Sequence, residues 1–94
     1  MLVLVIAKDG TDPDAPARRL SVREAHLEGA RALAADGTLH LGGALHDEAG
    51  GMIGSALIVE AEHTAAVRAL LEADVYHRGG VWRSYEVHPF KRAI

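Results

Sequence analysis

Leu2-Val3-Leu4-Val5-Ile6-Ala7 and Ile53-Gly54-Ser55-Ala56-Leu57-Ile58-Val59-Glu60-Ala61 are the two stretches that decide the fold. Both are rich in β-branched residues. Both carry apolar side chains at odd and even positions alike, the pattern of a strand covered on two faces. The first is closed by Lys8-Asp9-Gly10, and the second follows the polar turn His46-Asp47-Glu48-Ala49-Gly50-Gly51.

Outward from these two strands, the spacing of Leu20, Leu27, Ala30, Leu33 and Ala34 predicts a helix over 18–36, with Pro16 suited to its first turn and Gly37 to its stop. Thr38 to Leu45 alternates as a strand, in which Gly42-Gly43 marks a bulge or a close backbone approach. Thr64 is placed to cap a second helix, Ala65 to Ala73, with Val67, Leu70 and Leu71 turned inward. A connector over 74–80 leads to a last strand, Val81 to Val87, which Pro89 ends. The order is β-α-β-β-α-β. It predicts an α+β, ferredoxin-like domain spanning 1–94, with a four-stranded antiparallel sheet and both helices on one face. Right-handed crossovers put the first and third strands in the centre. The sheet face away from the helices then needs a cover, and a second copy of the chain packed face to face supplies one.

The 94 residues allow one domain and no second core. A net charge of −3 argues against a general nucleic-acid binder, which needs a basic surface to neutralise phosphates. The absence of cysteine removes disulfides, thiolate metal sites and Cys nucleophiles together. The apolar run Leu2 to Ala7 is too short to span a bilayer and no basic segment precedes it, so a cytoplasmic protein without membrane contact is expected.

Two polar residues sit where the first helix should be packed. With Leu27 at the centre of the apolar stripe, His26 falls at its edge, and Arg23 lies one turn earlier on the same side. Such residues need partners. His26 is either a helix-edge residue bonded to a backbone carbonyl or a general acid/base oriented by a carboxylate. Asp74 is the candidate carboxylate; its other reading is a helix-end residue bonded to nearby backbone N–H groups.

Arg19-Leu20-Ser21-Val22-Arg23-Glu24-Ala25-His26-Leu27, Asp36-Gly37, Gly54-Ser55, Asp74-Val75-Tyr76, Gly79-Gly80-Val81 and Val87-His88-Pro89-Phe90-Lys91, in this order, resemble the YciI-like (YCII-related) family. The resemblance runs nearly the whole length. It implies a dimeric α/β barrel and a His/Asp site, with His26 from the R-x-x-H-L segment and Asp74 from the D-P-Y-like segment, in which this chain has Val75 where Pro is usual. Members of this kind are linked to cofactor-free lyase, isomerase and dehydrochlorinase chemistry.

Arg19 and Arg23, four apart, share one helix side and read either as a solvated face or as clamps for a carboxylate, with Arg23 the more inward. Ser55 is either a small strand residue or a hydroxyl in the cleft; it lacks the strand-to-helix elbow of a hydrolase nucleophile. Tyr76 serves rim packing or substrate contact. No metal site is expected, because His40 and His46 are roughly 20 Å apart along an extended strand and no close His pair exists. The expected function is a small cofactor-free enzyme of lyase or isomerase type, acting through His26 and Asp74 on a small organic, anionic molecule, with the homodimer as its only protein partner. The alternative is a non-catalytic small-molecule-binding or interaction domain in which His26 and Asp74 are structural.

Overall fold

The computed structural model describes residues 1–94. Strand β1 (Leu2–Asp9) leads to helix α1 (Ala15–Ala35), then β2 (Leu39–His46), β3 (Met52–Glu60), α2 (Thr64–Glu72), the single turn α3 (Val75–Arg78) and β4 (Trp82–Phe90). The sheet order is β2-β3-β1-β4, and every pairing is antiparallel. The two strands apolar on both faces are therefore the central ones. Val3, Val5 and Ala7 of β1 lie opposite Val59, Leu57 and Ser55 of β3 and are sealed from solvent. Val67 and Leu71 of α2, with Tyr76, Val81 and Trp82, close over them to form the core.

The other sheet face is also apolar. Leu4 pairs with Ile58 and Ile6 with Ala56, while Leu41 on β2 lies beside Ile58 and stays 66% exposed. The three helices pack on the opposite side, so no element of the chain covers this face.

Several element ends differ from expectation. Pro16 and Gly37 sit where predicted, and Gly37 takes a positive φ of 87° that lets the chain leave α1. Helix α2 is capped by His63 rather than Thr64. His63 has the extended backbone a cap requires, and its Nδ1 accepts the Ala66 N–H at 3.1 Å, whereas Thr64 is already helical. Pro89 does not end β4; it pairs with Val3 inside the strand, which an edge position tolerates because one N–H row points away from the sheet. The irregularities of β2 fall at Leu39/Leu41 and Leu45/His46, not at Gly42-Gly43. Gly42 instead answers to close approach: a β-carbon there would meet the Leu57 side chain at 3.2 Å.

The largest departure is the rotation of α1. Leu20 is 61% exposed, and Arg19 beside it is buried. The face turned to the sheet runs Ala15, Arg19, Arg23, His26 and Ala30, a helical stripe with a polar middle. Arg23 and His26 lie on the side expected from Leu27, which with Leu33 is also half-buried; apolar periodicity could not place Arg19, which is held inward by a buried ion pair.

Candidate functional site

Three elements meet around that polar stripe. Asp9 ends β1 on the parity of Val3, Val5 and Ala7, so its carboxylate is carried under α1. Arg19 Nη1 donates to both Asp9 oxygens, at 3.0 and 2.9 Å, and both side chains are 4% exposed. Arg19 Nη2 donates to Ser55 Oγ at 3.1 Å, and the Trp82 indole N–H donates to the same oxygen at 3.1 Å. Gly54 sets up this corner: a β-carbon there would run into the Ala7 carbonyl, so only glycine lets β3 pass before presenting Ser55.

Tyr76 is inserted between Arg19 and His26, which are two helical turns apart on α1. The Arg19 guanidinium carbon is 4.8 Å from the Tyr76 ring centroid, a cation–π contact. The His26 ring stacks on Tyr76 at 3.8 Å with planes 7° apart. Trp82 packs edge-on against both rings, at 5.5 and 5.4 Å. Neither ring of the stack can rotate without displacing the other.

The structure brings His26 and Asp74 together. His26 Nδ1 lies 2.9 and 3.0 Å from the two Asp74 oxygens, and the side chains are 11% and 18% exposed. Asp74 Oδ1 also accepts the Tyr76 N–H at 2.8 Å and so caps α3. Both sequence readings of Asp74 therefore hold at once. A carboxylate can only accept, so Nδ1 carries a proton and neutral His26 has its lone pair on Nε2. No protein group meets Nε2.

A cavity of about 270 Å³ opens between α1 and strands β2 and β3, walled in part by Arg23, His26, Ser55, Tyr76, Gly42 and Leu57. Arg23 is half-buried at this cavity and makes no ion pair. Arg19 is different. It is buried rather than on a solvated face, and although it lines the cavity with Arg23 its charge is already matched by Asp9.

Burial pushes the Tyr76 hydroxyl above its ordinary range, and the charges of Arg19 and Arg23 offset part of that rise. The phenol is thus protonated at neutral pH. On the far side of the core, burial and then the Asp74 charge push Tyr85 up to about 12; its hydroxyl is 2.6 Å from His77 Nδ1. These are the only two tyrosines. Below pH 10.0 both the folded and unfolded chains keep the Tyr85 proton, and as pH rises from there toward 12 only the unfolded chain gives it up, so stability falls across that window. An ultraviolet titration should show tyrosinate appearing late and together with unfolding. A tyrosine ionising at its ordinary value in the folded chain would contradict the burial described here.

The profile of the YCII-related domain matches residues 1–91. The chain belongs to this family. Protein YciI of Escherichia coli O6:H1 and Protein YciI of Shigella flexneri are each 36% identical to it over 100 aligned positions that take in the whole of both chains. Among solved structures, 5-chloro-2-hydroxyhydroquinone dehydrochlorinase (TftG) from Burkholderia phenoliruptrix AC1100, in complex with 2,5-dihydroxybenzoquinone, superposes with a TM-score of 0.86. That match has 28% sequence identity and covers 99% of this chain and 96% of the dehydrochlorinase. One departure from the YCII-related pattern now has a physical account. Val75, in place of the usual proline, is the first residue of α3, where the backbone N–H has no helical partner, so proline and valine both fit.

Asp9 and Trp82 were missed by sequence reasoning. The signal for Asp9 was its even spacing from three inward apolar residues. Trp82 carried a weaker one: a buried indole N–H needs an acceptor.

Proposed function

We propose that this YCII-related protein is a cofactor-free enzyme of proton-transfer type, acting as a lyase or isomerase on a small anionic organic molecule. The observation that carries this reading is His26 itself. Asp74 fixes Nδ1, Nε2 meets no protein group, and the ring lines a cavity that also holds the unpaired cation of Arg23. Nε2 takes a proton from the substrate, and Asp74 stabilises the imidazolium that results. The electron pair left behind moves onto a substrate oxygen held by Arg23. Return of the proton to another atom gives isomerisation; departure of a leaving group such as chloride gives elimination. The likeness to a dehydrochlorinase supports the second outcome and suggests oxygen-rich ring compounds as first substrates to try.

The test is a thermal-shift screen of such compounds on wild type and His26→Asn. Compounds that raise the melting temperature of the wild type should be turned over by it and not by the variant. Binding without turnover in the wild type would favour a non-catalytic binding domain.

We also propose that the uncovered sheet face is buried against a second copy. Leu4, Ile6, Ile58 and Leu41 would otherwise form a contiguous apolar surface in water. Light scattering at micromolar concentration should give about twice the 10.0 kDa chain mass. A stable monomer over that range would refute the dimer.

A further inference from the structure

Ser55 Oγ receives two hydrogen bonds, one from Arg19 Nη2 and one from the Trp82 indole, each at 3.1 Å. Neither guanidinium nor indole can accept. Both lone pairs of the Ser55 oxygen are therefore occupied, and its own proton cannot lie on either partner. Ser55 donates to no protein acceptor, and it forms part of the wall of the cavity lined by Arg23, His26 and Tyr76. The arrangement is rigid: Asp9 holds Arg19 from behind, and Trp82 is wedged between aromatic rings. Of the other polar side chains lining this cavity, Arg19 and Arg23 can only donate. The Tyr76 hydroxyl has no protein partner and keeps a proton to donate at neutral pH, while its oxygen can also accept. The one ring-nitrogen acceptor is His26 Nε2.

We infer that Ser55 is an obligate donor to the ligand, and that with Arg23 and Tyr76 it makes the cavity a pocket for an oxygen anion: an enolate, phenolate or carboxylate. This rests on the proton-transfer reading above and adds to it the polarity of the substrate. The ligand presents an acceptor oxygen to Ser55 and a removable proton to His26. When that proton moves to Nε2, the electron pair is drawn onto the oxygen at Ser55, and no bond to the protein forms. Ser55 is excluded as a nucleophile, since both its lone pairs are held and its oxygen leans on a cation.

The polarity can be tested with two probes, 2,5-dihydroxybenzoquinone, ionised, and 2,5-diaminobenzoquinone, which puts N–H donors where the first has anionic oxygens. Calorimetry should show wild type binding the dihydroxy compound at least about tenfold more tightly. Ser55→Ala should lose about tenfold for that compound and little for the diamino one. Trp82→Phe, which frees one lone pair of Ser55, should narrow the preference. Equal binding of the two probes, binding of neither, or an unchanged Ser55→Ala would overturn the inference. Neutron diffraction from deuterium-exchanged wild-type crystals reads the same claim without any variant: the Ser55 deuteron should point into the cavity, and one pointing at a main-chain carbonyl would overturn it. Loss of turnover in His26→Asn beside such a main-chain deuteron would leave the proton-transfer reading standing. A cavity-facing deuteron beside full turnover in His26→Asn would do the reverse.

Discussion

Asp74→Asn is expected to lower turnover by about 10²–10⁴-fold while leaving the fold nearly unchanged. The asparagine oxygen can keep the Tyr76 N–H, so the cap of α3 survives. Its amide nitrogen then faces His26 Nδ1, where the carboxylate stood at 2.9–3.0 Å. That nitrogen donates and so competes for an accepting Nδ1, while the asparagine oxygen, 2.9 Å away, carries no charge to steady an imidazolium. The ring keeps its place against Tyr76, but its lone pair is no longer fixed on Nε2. Kinetics and a melting curve on the same sample check this. Turnover within a few-fold of wild type would remove His26 as the base. A large drop in melting temperature would mean that the carboxylate serves the fold instead.

Arg19→Met should be the most damaging single change to stability. It removes the only cation facing the Asp9 carboxylate, which is 4% exposed. Breaking a buried pair from one side costs about 3–5 kcal/mol. Against the roughly 5–15 kcal/mol that hold a domain of this size together, that is about a fifth of the total or more. At about 4–8 °C per kcal/mol, the melting temperature should fall by well over 10 °C. The double variant Asp9→Leu with Arg19→Met should recover most of the loss, since apolar replacement of both partners leaves no stranded charge. Urea unfolding of the single and double variants separates the two effects. Equal destabilisation of both would show that the loss comes from packing around Tyr76 and not from the charge.

These predictions concern residues that sequence patterns exposed unevenly. The sheet was legible because β1 and β3 are apolar on both faces, a pattern that marks central strands. The phase of α1 was legible in part. Leu27, Ala30 and Leu33 are half-buried with Arg23 and His26 beside them, as expected, but the helix also turns Arg19 inward and leaves Leu20 61% exposed. Periodicity counts a charged residue such as Arg19 as outward. His26 with Asp74 could be paired from a family resemblance alone, because 48 residues of chain separate them and the contact depends on α3 docking beside α1. Arg19 was placed with Arg23 as a clamp on the strength of helical spacing. The partner that distinguishes them, Asp9, comes from another element, and no local pattern joins the two.

Trp82 has a consequence of a different kind. It is the chain's single tryptophan. Its indole lies edge-on to His26, Tyr76 and Tyr85 at 5.4–6.0 Å and is tied to the Ser55 hydroxyl. The protein's ultraviolet emission therefore comes from one lamp buried behind the pocket wall. Excited indole is sensitive to a nearby imidazolium, so brightness should change if His26 takes up the substrate's proton during turnover. A quinone entering the cavity should dim it directly. Occupancy and proton transfer can thus be watched in real time, in stopped flow, with no label and no foreign dye to disturb a cavity this small.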